Sequence, residues 1–141
     1  MNVEHTLSII KPDAMVKNLI GKIYQRFEDT GFTFSAVKMC QLSAAEASVF
    51  YIEHQHQPFF TQLIAFMCSQ PIMVQVLQAP DVVARYRALM GATDPHQAAA
   101  GTLRADFGEN LTHNAVHGSD NLAAARCEIN FFFAENELFV R

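Results

Sequence analysis

From His54 to Pro80 the chain carries no Lys, Arg, Asp or Glu. An uncharged stretch of that length belongs either in a bilayer or in the interior of a globular domain. Gln62, Ser69, Gln70, Pro71 and Gln75 interrupt it, and no apolar run within it approaches the roughly 18–20 residues needed to span a membrane. A buried helix followed by a buried strand is the expectation, with no membrane partner. Pro58, at a first helical turn, opens the helix from Phe59 to Cys68, and Ile72 to Leu77 is the strand.

The flanking sequence continues the alternation. Thr6 to Ile10 reads as a first strand ending at Lys11-Pro12-Asp13, and Leu19 to Phe27 as a helix with its apolar stripe at Leu19, Ile20, Ile23, Tyr24 and Phe27, stopping before Gly31. Phe32 to Leu42 alternates as a second strand. Ser43-Ala44-Ala45-Glu46 is a capping box that starts a helix running to about Tyr51. Pro80-Asp81 opens a helix that ends at Gly91, and Gly91 to Gly108 reads as a long loop with short helical pieces. Ala115 to His117 is a short strand. Ser119-Asp120 caps a last helix with stripe Leu122, Ala125, Ile129, Phe132 and Phe133. Strands paired with helices over 141 residues indicate a single α+β domain, residues 1–141, with helices packed on one sheet.

Composition narrows the class. Half the residues are hydrophobic and 17% are charged, against roughly 25% charged in an average soluble protein, which excludes a disordered chain. A net charge of −4 argues against a general nucleic-acid partner or a polybasic membrane-surface binder. So few charges on so apolar a chain predict that part of its surface is covered by copies of itself. Cys40, Cys68 and Cys127 form no CxxC pair or zinc spacing, and Met1 to His5 lacks the basic start of a signal peptide; both predict a cytoplasmic location.

Neither GxxxxGK[ST] nor GxGxxG occurs, so any phosphate must be held by side chains. His117 stands at a strand end, beside Gly118 and just before a capped helix. Two readings fit it: a nucleophile toward phosphorus, near a helix N-terminus that favours an anion, or a buried imidazole bonded to backbone. Glu128 lies on the border of the last helix's stripe, roughly 100° from its centre; it either orients that imidazole or is an ordinary solvated flank. Arg85 and Arg87 fall on opposite borders of their helix's apolar face, so at most one points into a common cleft. Arg104 in a loop and Lys11 at a strand end are in places typical of site residues. His54 and His56 lack a third ligand nearby and read as a solvated loop rather than a metal site. Gly31-Phe32-Thr33-Phe34 resembles part of an RNA-recognition signature, but no basic residue precedes Gly31 and Ser35 replaces the expected Val, so these phenylalanines read as core.

Five ordered blocks carry a more specific likeness: Thr6 to Asp13, Gln57 to Phe60, Met90 to Pro95, Gly101 to Phe107, and Asn114-Ala115-Val116-His117-Gly118-Ser119-Asp120. With these the chain resembles the nucleoside diphosphate kinases over nearly its whole length, and its short C-terminus resembles the bacterial branch. The resemblance implies a ferredoxin-like βαββαβ fold with a four-stranded antiparallel sheet covered by helices. It implies transfer of the terminal phosphoryl group from a nucleoside triphosphate, mainly ATP, to nucleoside diphosphates, maintaining nucleotide pools. The route is ping-pong through phosphohistidine, with Mg²⁺ arriving on the phosphates. His117 would be the nucleophile through Nδ1, Glu128 would hold the other ring nitrogen, and Ser119 would support them. Lys11, Tyr51 and Arg104 would surround the transferring group, Arg87 and Thr93 the neighbouring phosphate, and Asn114 with Lys11 the ribose. Phe59 would stack on the base, with Leu111 opposite and Leu63 nearby; stacking without base-edge hydrogen bonds implies low base selectivity. A homo-oligomer is implied, a tetramer rather than a hexamer.

Departures from the family pattern are few. Asp94 stands where Asn is more frequent, placing an anion beside Thr93 with the expectation of slightly weaker nucleotide binding. Leu111 replaces a frequent Val, His56-Gln57 a more basic pair, and His5 a usual Arg.

Overall fold

The computed structural model describes residues 3–141. Its elements run β1 (Val3–Ile10), α1 (Pro12–Val16), α2 (Ile20–Asp29), β2 (Thr33–Cys40), α3 (Ala44–Phe50), α4 (Phe60–Met67), β3 (Ile72–Pro80), α5 (Val82–Met90), α6 (Leu103–Phe107), β4 (Val116–Gly118) and α7 (Leu122–Phe132). Single 3-10 turns occupy Ile52–His54, Pro95–Gln97 and Glu135–Glu137. The strands form one antiparallel sheet in the order β2-β3-β1-β4. The unit β1-α2-β2-β3-α5-β4 is the ferredoxin-like βαββαβ arrangement; α3 and α4 are inserted between β2 and β3, and α7 follows β4.

Helices cover both faces of this sheet. Leu7, Ile9, Ile72, Val74 and Val76 pack with α3, α4 and α7 through Ala47, Leu63, Ile64, Met67, Ile129 and Phe132. Ile10, Leu77, Ala79 and Val116 pack on the other side with α2 and α5 through Ile23, Phe27, Val82, Tyr86 and Met90. An antiparallel sheet with one wet face would alternate apolar and polar. The central strand β3 has no such face, which explains the strand part of the uncharged stretch; α4 is only half-buried, with Thr61, Gln62 and Ala65 exposed, so the buried helix expected from the sequence is an amphipathic one.

Local chemistry places most element ends. Ser43 and Glu46 close the capping box at α3: the Glu46 amide donates to Ser43 Oγ at 3.1 Å, and the Ser43 amide donates to Glu46 Oε1 at 2.9 Å. Gly91 ends α5 at φ 82°, a conformation that favours glycine. Several boundaries differ from the sequence reading. Pro12 does not merely end β1 but begins the short α1, where a missing amide costs nothing. Pro58 lies in the turn before α4, which starts at Phe60. The last helix is capped by Asn121, whose side chain accepts from the Ala124 amide at 2.8 Å, and not by Ser119-Asp120. The short strand starts at Val116, because Ala115 has φ 74° and cannot join it; the Val116 amide instead reaches back to the Asn114 carbonyl at 2.9 Å. The segment after Gly91 is tied down by Arg26 of α2, which donates to Asp106 at 2.8 Å and to the Gly101 carbonyl.

Gly118 lets β4 lie close against α5. A Cβ there would stand 2.5 Å from Met90 Cε and 2.7 Å from a ring carbon of Tyr86. The methionine can yield, but the buried tyrosine ring cannot. Gly118→Ala is expected to lower the unfolding free energy by about 1–3 kcal/mol, read as a fall in urea midpoint at constant slope.

Candidate active site

The site forms where β4, at the sheet edge, meets α7, α3 and the loop after α5. His117 pairs with Ile9 across β1–β4, so its side chain leaves the sheet on the α3–α7 side. Glu128 sits next to the core residue Ile129 on α7 and reaches back toward the strand. Its Oε1 accepts from His117 Nε2 at 2.7 Å and from Ser119 Oγ at 2.9 Å. The imidazole's partner is thus a carboxylate rather than backbone, and Glu128 reaches the ring instead of standing free in solvent. Among the described residues Nδ1 has no hydrogen-bond partner. Phe50 and Tyr51 wall the ring edge-on, with centroids 5.4 and 6.0 Å away.

The cations approach from three elements. Lys11, at the end of β1, is buried and donates through Nζ to Asn114 Oδ1 at 2.9 Å. Asn114 in turn donates to the carbonyls of Thr93 at 3.0 Å and Leu111 at 3.2 Å, so one amide ties the lysine to two loop positions. Arg104 donates to the Gly91 carbonyl at 3.1 Å and the Val116 carbonyl at 2.9 Å, while its buried Nε has no partner. Arg87 bonds Asp120 at 2.6 Å. Arg85 turns away to the carbonyls of Thr30 and Pro80, as the helical wheel requires. Asp94 is occupied in capping the 3-10 turn, accepting from the His96 amide at 3.0 Å.

Burial dominates the electrostatics. Desolvation pulls the Lys11 ammonium down to about 8, with Asp13 opposing and Arg104 assisting the shift. Burial, then the Glu128 charge, pushes the Tyr51 hydroxyl up, so it stays protonated; it is buried without a partner. The Tyr51 hydroxyl beside the imidazole and the Arg104 Nε–H are both donors lacking an acceptor.

The apolar residues divide. Phe59 and Leu111 are 43% and 63% exposed, unusual for residues of their kind, whereas Leu63 is buried in the core beneath them in sequence, one turn into α4. The sequence reading missed three contacts here. His54 is solvent-exposed in its 3-10 turn, as read from the sequence, but its ring lies 6.4 Å from that of Tyr51 and 5.8 Å from that of Phe59. Phe50 was visible only as a neighbour of Tyr51. Asp13 accepts from the Ala115 amide at 3.0 Å and pins the turn before β4. Among the described residues no group of three or more His, Cys, Asp or Glu is arranged to hold a metal.

An imidazole held by a carboxylate on the edge strand of a ferredoxin-like sheet, with a buried lysine and two arginines on neighbouring elements, is the equipment of an enzyme that handles phosphate groups with side chains instead of a glycine-rich loop. Residues 4–138 match the nucleoside diphosphate kinase family. The chain is 52% identical to a nucleoside diphosphate kinase of Nitrosococcus oceani, over 100% of this chain and 99% of that one. Its fold superimposes on the Aquifex aeolicus nucleoside diphosphate kinase with a TM-score of 0.95 at 41% identity, covering 97% of this chain and 99% of that one. A halophilic nucleoside diphosphate kinase from Halobacterium salinarum, solved in complex with CDP, gives 0.96 at 38% identity, covering 99% and 93%. The chain belongs to the nucleoside diphosphate kinase family, whose members pass the terminal phosphoryl group of a nucleoside triphosphate to a nucleoside diphosphate.

The buried lysine has a consequence for stability. Unfolded, Lys11 keeps its proton to about 10.5; folded, only to about 8. Between these values the unfolded state binds more protons, so unfolding free energy rises with pH. Above about pH 10 the buried tyrosines, whose ionisation folding resists, reverse the trend. Urea midpoints across pH 8 to 10 are expected to climb in the wild type and to stay flat in Lys11→Met.

Proposed function

We propose that residues 1–141 form one domain that transfers phosphoryl groups through a phosphohistidine on His117. The hydrogen bond from His117 Nε2 to Glu128 carries this reading. It places the proton on Nε2 and leaves the Nδ1 lone pair to attack the γ-phosphorus. The Nδ1–P bond forms as the bond from Pγ to the β–γ bridging oxygen breaks, and the diphosphate leaves with that electron pair. The ring's new positive charge is shared with Glu128, and Ser119 holds the carboxylate in place. A second diphosphate then reverses the step, which makes the reaction ping-pong.

Transfer of this kind asks a protein chiefly for position and for cations around the equatorial oxygens. Lys11, Tyr51 and Arg104 supply donors to the transferring group, Arg87 and Thr93 to the phosphate behind it, and Asn114 and Lys11 to the ribose. Phe59 and Leu111 hold the base between apolar surfaces, above Leu63, with His54 extending the aromatic wall. Gripping the base by its faces leaves the enzyme indifferent to its edges. Mg²⁺ belongs with the nucleotide: Glu128 is committed to His117 and Ser119, and Asp120 to Arg87, so no free pair of carboxylates remains in the cleft to cage it. Bound to the phosphates, it neutralises charge on the transferring group. Asp94 accepts from the His96 amide but keeps its charge beside Thr93, so slightly weaker nucleotide binding is still expected.

The exposed apolar residues Val37 and Met39 on the edge strand β2, with Phe139 and Val140 near the C-terminus, support a homo-oligomer; the resemblance to the bacterial branch favours a tetramer over a hexamer. No helix among the described residues is long and apolar enough to cross a membrane; a cytoplasmic location and the absence of nucleic-acid and membrane partners remain part of the proposal.

Incubation with γ-labelled ATP and Mg²⁺ is expected to give an acid-labile, alkali-stable phosphoenzyme, absent in His117→Ala; labelling that survives in that variant would refute the nucleophile. The lysine makes a separate demand. Because its free-enzyme charge is lost above about 8, kcat/KM should fall as pH rises past that value. Lys11→Arg, less active but always charged, should show no such fall in the same range.

A further inference from the structure

A line of buried polar side chains crosses the apolar layer between the sheet and α2–α5. Tyr24 Oη donates to Gln75 Oε1 at 2.7 Å, Gln75 Nε2 donates to Ser8 Oγ at 2.8 Å, Ser8 and Tyr86 hydroxyls meet at 2.6 Å, and Tyr86 Oη lies 3.1 Å from the His117 carbonyl. That last oxygen can only accept, so Tyr86 donates to it. Ser8 must then donate to Tyr86, which leaves Ser8 Oγ to accept from Gln75. Every hydroxyl and amide in the row has one consistent direction. The row follows the sheet itself, since Ser8 stands opposite Gln75 on β3 and Gly118 on β4.

Stability does not account for this arrangement. A buried polar network is on average worth no more than the apolar side chains that would fill the same volume. What it does supply is a fixed endpoint. β4 is three residues long and lies at the sheet edge, with a single neighbouring strand. Ladder bonds alone hold so short a strand loosely. Side chains grip its carbonyls in addition to the β1–β4 ladder, Val116 by Arg104 and His117 by Tyr86. The His117 imidazole leaves the opposite face, toward Glu128, so Tyr86 touches none of the reacting atoms.

We propose that Tyr86, aligned through Ser8, Gln75 and Tyr24, is a positioning residue that sets the place of the His117 main chain from beneath the sheet and thereby the aim of Nδ1. The proposal rests on the assignment of His117 as nucleophile. Its measure is the single-turnover rate of His117 labelling at saturating ATP and Mg²⁺, alongside ADP affinity by calorimetry. Tyr86→Phe is expected to lower that rate about tenfold while ADP affinity stays within about twofold and the pH dependence of the rate keeps its shape, Glu128 being untouched. Tyr24→Phe, at the partly exposed end, should lower it about two- to threefold through the same chain, and decides the matter alone if Tyr86→Phe does not fold. A folded Tyr86→Phe, or in its absence Tyr24→Phe, that labels at the wild-type rate overturns the proposal. So does a slower rate matched by an equal loss of ADP affinity. If His117→Ala labels like the wild type, the nucleophile assignment falls first and this role with it; a silent His117→Ala beside an unchanged Tyr86→Phe removes only the positioning role.

Discussion

Burying both faces of a four-stranded sheet within 141 residues is the constraint from which the rest of this structure follows. It leaves the central strands β1 and β3 without a wet side. Polar groups on those strands must find partners inside the protein, and Ser8 and Gln75 do so across the sheet. It also leaves only the edge of the sheet and its loops for chemistry. The short strand β4 takes that position, with one core behind it and the loop after α5 in front. The cations that gather there are therefore drawn partly into the interior, which is why burial, more than neighbouring charge, lowers the proton affinity of Lys11.

Periodicity and capping signals made most of the fold legible. The capping box at Ser43, the glycine after Met90 and the divergence of Arg85 from Arg87 are local matters, decided within a turn or two of chain. What escaped was decided by contacts distant in sequence. Asn121 outcompeted Ser119 as a cap because Ser119 is held by Glu128, and nothing near residue 119 announces that. His54 looked like one of a pair of loop histidines because its neighbours, Tyr51 and Phe59, lie on either side of a turn. Asp13 gave no sign of holding the Ala115 amide, 102 residues away. Of the proposed site residues, the five blocks of resemblance contain Lys11, Phe59, Thr93, Arg104, Asn114, His117 and Ser119, while Tyr51, Leu63, Arg87, Leu111 and Glu128 lie between or beyond them. Residue chemistry alone left His117 and Glu128 each with two readings.

Net charge proved a poor guide to this cleft and a fair guide to the surface. An acidic chain with 10 Lys and Arg residues cannot coat itself for a polyanion. Lys11, buried, and Arg104, partly buried, act where water screens them less than on the open surface. A few charges held in a low-dielectric pocket weigh more on a phosphate than many spread over the outside.

Between His117 and the helix that begins after Asn121, the chain is fully spoken for. Gly118 fits against Tyr86 and Met90, Ser119 meets Glu128, Asp120 meets Arg87, and Asn121 closes the helix. Each task falls to one residue, and each next residue faces a different way. Such a connector leaves little room for a change of side chain and less for a change of length. One residue added or removed would hand every task at once to a neighbour pointing elsewhere, so the spacing of this stretch is constrained as a whole where its side chains are constrained one by one.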